Sequence, residues 1–158
     1  MINTTLCYII KDGKVLMLFR NKKENDLNEG KWVGVGGKFL PGETPEQGLL
    51  REVQEETGLT LTGYRRCGII RFVSDVWEDE DMYLYAGEAF TGELQECSEG
   101  TLAWIPAEEV LQLPLWAGDR YFLEPLLAGE PEINLTVVYR GDELAAVTDE
   151  AGRDLRKA

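Results

Sequence analysis

Few segments of this chain are as constrained as Thr44 to Gly58. Thr44 suits an N-cap, Pro45 the first helical position and Gln47 the reciprocal partner of a capping box, while Gly58 supplies the stop. Between these signals Leu49, Leu50 and Val53 form an apolar stripe, which predicts a helix packed on a sheet. Glu52, Glu55 and Glu56 fall at i, i+3 and i+4, within an arc of roughly 100°, beside that stripe rather than opposite it. Gly48, one turn earlier, leaves space on the same face. Three like charges are thus crowded into the last turns of a helix, where the backbone dipole also disfavours them. No lysine follows at i+4 to offset their repulsion, about a few tenths of a kcal/mol per pair. Two readings stand: a solvated acidic face, or a set of oxygen donors for a hard cation such as Mg²⁺ or Mn²⁺.

The helix belongs to a chain of 158 residues, enough for one compact domain that buries roughly 68–70% of its unfolded surface without disulfides or a structural metal. A bound metal is therefore expected to serve chemistry. Thr4 to Ile10 and Val15 to Phe19 are apolar runs joined by Lys11-Asp12-Gly13-Lys14, whose Asp-Gly predicts a tight hairpin. Asn21 to Lys31 is polar and reads as a loop. In Trp32 to Lys38 short apolar residues alternate with glycines that let the backbone approach a ligand or turn sharply. Gly68 to Val76 and Met82 to Phe90 read as strands around the acidic turn Glu78 to Asp81. Pro106 to Leu113 and Gly118 to Leu127 read as helices, and Asn134 to Tyr139 with Glu143 to Val147 as a hairpin about Gly141-Asp142. The pattern predicts an α/β or α+β domain over residues 1–150, with helices packed on a mixed sheet, followed by a frayed charged tail over 151–158.

The chain contains no histidine. That excludes Ser-His-Asp and Cys-His catalysis, histidine phosphoenzymes and H-E-x-x-H zinc sites, and leaves acid–base work to carboxylates, lysines, tyrosines or cysteines. Sixteen basic against 29 acidic residues give a net charge of −13, which argues against binding a nucleic-acid polymer or an anionic membrane. An anionic substrate would need cations to bridge it to this surface. Cys7, Cys67 and Cys97 lie far apart without a C-x-x-C pair and read as small buried thiols in a reducing compartment. The N-terminus lacks a basic region, and the run Leu6 to Ile10 is too short to cross a bilayer, so the expected location is the cytoplasm.

Upstream of the glutamates, Gly37 is followed six residues later by Glu43, and Arg51-Glu52 then open the cluster. The result is G-x5-E-x7-R-E-U-x-E-E-x-G-U across Gly37 to Leu59, where U is aliphatic. This pattern is the signature of the Nudix hydrolases, matched at every defined position, and the chain resembles that family. Gly34-Val35-Gly36 lacks the last glycine of a dinucleotide fingerprint, and Lys38 is followed by Phe39 rather than the Ser or Thr of a P-loop. The resemblance implies a Nudix fold, a mixed sheet sandwiched between helices, whose loop–helix–loop holds Mg²⁺, with Mn²⁺ as a substitute, against a diphosphate linked to another group, which water cleaves. It implies that Glu52, Glu55 and Glu56 are metal ligands together with the Gly36 carbonyl, and that Glu43 and Arg51 support them, Arg51 tethering carboxylates so that they point at the metal.

A nearer resemblance, carried by Trp32, Gly34, Gly36-Gly37-Lys38 and the Trp116 to Asp119 segment, is to MutT-type 8-oxo-dGTP diphosphatases, particularly the animal oxidised-purine form. It implies a small nucleotide substrate, release of a nucleoside monophosphate and pyrophosphate, and a monomer or homodimer. In that subgroup a glutamate five residues before a tryptophan-bearing strand lies near the metals. Glu99, five before Trp104, matches it, as a ligand or general base or else as an exposed turn residue. Gly37 and Lys38 are expected to contact substrate, Lys23 its triphosphate, and Leu27 and Val33 to wall the base pocket. Trp116 either stacks on a purine or packs in the core, and Asp119 reads the base. Val33 and Gly118 depart from the subgroup, which has an asparagine and a second aspartate there, and a pocket so stripped discriminates bases less sharply. Two other functions stay open: a Nudix hydrolase of ADP-ribose or dinucleoside polyphosphates, and a nucleotide-binding sensor without turnover, which the complete glutamate set disfavours.

Overall fold

The computed structural model describes residues 1–157. Strands β1 (Ile2–Lys11) and β2 (Lys14–Phe19) form the expected hairpin, with Asp12 and Gly13 both at positive φ (52° and 75°), as a two-residue I′ turn demands. Strands β3 (Trp32–Val33), β4 (Thr60–Ser74), β5 (Glu80–Thr91), β6 (Thr101–Pro106), β7 (Leu135–Arg140) and β8 (Glu143–Thr148) complete one sheet. Its order is β3-β2-β1-β5-β4-β7-β8, with β6 paired to β2. The β1–β5 and β4–β7 pairs are parallel and the others antiparallel, so the sheet is mixed.

Helices α1 (Pro45–Thr57) and α3 (Arg120–Leu127) cover opposite faces, and α2 (Ala107–Val110) is a single turn. Alternation along β1 divides the two cores: Cys7 and Ile9 pack with Leu49 and Val53 of α1, whereas Tyr8 packs with Phe122, Leu123 and Leu126 of α3. The sheet is therefore sandwiched between helices, as expected. In α1 the capping box is complete: the Thr44 side chain accepts the Gln47 N–H at 3.2 Å and the Gln47 side chain accepts the Thr44 N–H at 3.0 Å. Gly58 closes the helix in the left-handed conformation. The buried stripe runs through Leu49, Val53 and Glu56, so a carboxylate continues the core face. Leu50 is not part of it; one residue further round the helix than Leu49, it is 37% exposed.

Three other expectations are corrected. Strand β4 begins at Thr60, eight residues before Gly68, because register shifts at Leu61/Gly63, Gly63/Tyr64 and Arg66/Gly68 break the alternation that marks a strand. Thr101–Pro106 pairs along the whole of β2 and takes Pro106 from the helix expected over Pro106 to Leu113; that helix is only Ala107–Val110, since the Gln112 and Leu113 N–H groups turn back to the Glu109 and Val110 carbonyls at 3.1 and 3.2 Å. The tail expected to fray is tied down as far as Lys157. Asp149 accepts the Ala151 and Arg153 N–H groups at 2.9 and 3.0 Å, Arg156 donates to the Leu144 carbonyl at 2.9 Å, and Leu155–Lys157 forms a 3₁₀ turn. No helix among the described residues is long and apolar enough to cross a membrane.

Candidate active site

Arg51 stands at the centre of the glutamate face. Its Nε and Nη2 donate to the Glu43 carboxylate at 2.7 and 3.0 Å, its Nη1 to Glu52 at 2.8 Å and to Glu55 at 3.1 Å, and Nη2 also to the Lys38 carbonyl at 3.0 Å. Hydrogen bonding to Arg51 holds the Glu43 carboxyl below its usual range. Glu52 moves the other way, because burial outweighs the pull of the same guanidinium. The Glu52 carboxylate rests against backbone: a Cβ on Gly37 would lie 2.7 Å from its Cδ. The first glycine of the motif thus leaves the space that an acid fills.

Glu56 is the buried member, only 6% exposed. The Gly36 N–H donates to its Oε1 at 2.8 Å, while its Oε2 has no hydrogen-bond partner among the described residues. Burial pushes its pKa up to about 8; the Gly36 N–H opposes the rise, and repulsion from Glu99 and Glu52 adds to it. An orphaned buried carboxylate oxygen beside further carboxylates fits a hard divalent cation, since every donor is oxygen and the ion supplies the charge they lack. In the arrangement seen, no three acids among the described residues converge tightly enough to enclose an ion. Arg51 draws Glu52 and Glu55 to itself, and Glu55 stays exposed at the rim.

A cavity of about 600 Å³ opens beside these acids. Gly36, Gly37, Glu52 and Glu99 line one part of it, Leu27, Val33, Trp116 and Asp119 another, and Lys23 and Lys38 also reach its wall. Glu43, Arg51, Glu55 and Glu56 are not among its lining residues; Arg51 and Glu56 reach it through their hydrogen bonds to Glu52, Lys38 and Gly36. Lys23 is exposed, 3.9 Å from Glu99. Trp116 is buried and pinned by its Nε1–H to the Asn28 side chain at 2.7 Å, edge-on to Tyr139 and Phe72, with the Lys31 ammonium 4.8 Å from its ring centroid. Burial pushes the Asp119 carboxyl up to about 8, against the pull of Lys31, so at neutral pH it carries a proton it can donate.

Residues 2–126 match the NUDIX domain family. The chain belongs to the Nudix hydrolases. Among relatives, this Nudix hydrolase is 33% identical over 117 residues to the oxidized purine nucleoside triphosphate hydrolase of Danio rerio, covering 73% of this chain and 72% of the relative. It is 34% identical over 131 residues to the CTP pyrophosphohydrolase of Escherichia coli K12, covering 81% and 93%. The crystal structure of a MutT protein from Bacillus halodurans superposes with a TM-score of 0.85 at 28% identity, over 97% of this chain and all (100%) of that one. The fold and the enzyme class expected from the glutamate motif are borne out, and with the class comes dependence on a divalent metal ion.

Within this Nudix hydrolase the structure adds residues that sequence reasoning missed. Gly118 stands where the resembled subgroup has a second aspartate, and its N–H donates to the Tyr139 hydroxyl at 2.6 Å. A Cβ on Gly118 would lie 2.8 Å from that hydroxyl and 3.0 Å from Val137 Cγ1, so Tyr139 excludes a larger residue there. Tyr139 and Tyr8 both line the cavity, and Asp119 adds to burial in raising both phenols. A tyrosine at an inward position of an apolar strand needs a partner for its hydroxyl, which was the available signal for both. Arg20, buried at the end of the apolar β2 run, is the third, 3.2 Å from Glu99.

Proposed function

We propose that this chain is a Mg²⁺-dependent pyrophosphohydrolase of nucleoside triphosphates, acting on purines with oxidised forms such as 8-oxo-dGTP preferred, and releasing the monophosphate and pyrophosphate. One observation carries the reading: a single cavity of about 600 Å³ joins Glu52 and Glu99 to Trp116 and Asp119, acids for phosphate chemistry and a ring-sized pocket. Glu52, Glu55, Glu56 and the Gly36 carbonyl would hold the ion, for which Mn²⁺ can substitute. When bound it neutralises phosphate charge and makes water easier to ionise.

The chain's own residues do the rest. Arg51 orients Glu52 and Glu55, and Glu43 fixes Arg51. With no histidine available, Glu99 takes a proton from the attacking water at its carboxylate. Gly37, Lys38 and Lys23 meet the phosphates, and Leu27 and Val33 keep water from the ring. Asp119, protonated at neutral pH, donates to an acceptor on the base edge. Val33 and Gly118 offer no polar side chain, so the margin for 8-oxo-dGTP over dGTP is small. Each lost contact forfeits on the order of 1–3 kcal/mol, about one to two decades. The zebrafish relative's name supports the purine reading, whereas the Escherichia coli relative's name favours a second one, a pyrimidine triphosphate.

The test is a hydrolysis screen over ordinary and oxidised nucleoside triphosphates, ADP-ribose and dinucleoside polyphosphates, with products identified by mass. Purine triphosphates should yield monophosphate and pyrophosphate, fastest for the oxidised ones. Equal kcat/KM for purines and pyrimidines overturns the base pocket, preference for ADP-ribose overturns the triphosphate reading, and full activity in excess chelator overturns the cation.

A further inference from the structure

We propose that Arg20 is a positioning residue: its guanidinium, locked in place by Asp26, holds the Glu99 carboxylate at the acid end of the cavity. The inference rests on the reading that Glu99 takes part in hydrolysis. Glu99 belongs to a turn and has no helix or strand to aim it. That turn can approach the end of β2 only because residue 100 is glycine; a Cβ there would lie 2.0 Å from the Phe19 carbonyl oxygen. The approach sets Glu99 beside the next residue of β2's exit, Arg20, whose Nη1 lies 3.2 Å from Glu99 Oε2.

Arg20 itself has little freedom. Its backbone N–H donates to the Lys31 carbonyl at 3.0 Å and its carbonyl accepts the Gly30 N–H at 2.9 Å, which closes the loop over residues 21–30. Its side chain is buried, and Nε donates to Asp26 Oδ2 at 2.7 Å. The other Asp26 oxygen accepts the Asn28 N–H at 3.1 Å, and the Asn28 side chain accepts from Trp116 Nε1 at 2.7 Å. An ion pair from Glu99 to Arg20 and hydrogen bonds onward through Asp26 and Asn28 therefore connect Glu99 to Trp116 along the cavity wall. With Nε committed to Asp26, the planar fork sets Nη1 beside Glu99 as a close ion pair at 3.2 Å; a lysine ammonium, a single point of charge, cannot serve both carboxylates from one fixed plane.

The test is a double-mutant cycle of Arg20→Lys and Glu99→Gln, with kcat and KM measured on the best substrate of the screen and folding followed by thermal melting. Arg20→Lys should lower kcat about 10- to 100-fold, the usual effect of losing such an orienting partner, with KM changed less than about threefold. In the Glu99→Gln background the same change should slow the enzyme no further, because the two residues act as a unit. Asp26→Asn, which keeps the shape but frees the fork, should behave like Arg20→Lys and serves in its place if that variant does not fold. If Glu99→Gln slows turnover while Arg20→Lys and Asp26→Asn do not, or if the effects multiply, Arg20 does not position Glu99. If Glu99→Gln leaves kcat intact, the Glu99 reading falls and the inference with it.

Discussion

Glu56→Gln should stabilise the metal-free protein at alkaline pH while lowering turnover by several orders of magnitude. Burial moves the Glu56 pKa from an ordinary 4.5 to about 8. The folded chain therefore keeps a proton that the unfolded chain has released, and holds it on the order of 5 kcal/mol more tightly. Between pH 4.5 and 8 the folded state binds more protons than the unfolded one, so stability is fully present below that window and falls as pH rises through it. For a chain of this length 1 kcal/mol is worth about 2–4 °C, so the loss in Tm is on the order of 10–20 °C. Glutamine is isosteric with the protonated acid, can accept the Gly36 N–H and does not ionise. Asp119, also pushed up to about 8, titrates in the same window, so the variant keeps part of the slope and the difference between the two proteins isolates Glu56. The assay is Tm against pH from 5 to 9 in excess chelator, repeated with Mg²⁺, which should restore wild-type stability at high pH and scarcely affect the variant. Parallel Tm curves for the two proteins in chelator would refute the reasoning.

Two further outcomes follow from the geometry. Gly37→Ala puts a methyl 2.7 Å from the Glu52 carboxyl carbon, so it should lower kcat about 10- to 100-fold while Tm stays within a few degrees; unchanged kcat would show that Glu52 does not need that space. Asp119→Ala should erase about one to two decades of preference among 8-oxo-dGTP, dGTP, dATP and dCTP in kcat/KM. In the wild type that preference should fade as pH rises through about 8, where Asp119 loses the proton it donates, and a ratio flat with pH would sink its donor role.

What could be read in the chain beforehand was local. The capping box, the Gly58 stop, the Asp12-Gly13 turn and the glutamate face depend on residues a few positions apart, so sequence order is already spatial order. The stripe misled at Leu50 because it lies next to the buried arc without facing the sheet. Strand β4 was shortened because its bulges erase the period of two. Arg20 beside Glu99, Asn28 against Trp116 and Gly118 against Tyr139 join residues far apart in sequence. Nothing in either partner's neighbourhood reports such a pairing. Glu99 came into view only through family resemblance, since a lone acid in a polar turn carries no pattern of its own.

The two ends of the cavity are built from different material, and this bears on how such an enzyme changes over generations. At the acid end the constraints run through main chain: the Gly36 N–H on Glu56, the Gly37 backbone under Glu52, the Lys38 carbonyl on Arg51. Point mutation cannot easily retune these, because any side chain added at Gly37 collides with the acid beside it. At the ring end the wall is made of side chains, Val33, Trp116, Asp119 and Tyr139, each replaceable alone. If the proposed base pocket holds, substrate range is thus free to drift while the cleavage chemistry stays fixed, with one exception written into the packing: an acid can enter at position 118 only after Tyr139 has given way, so that step must be taken in order.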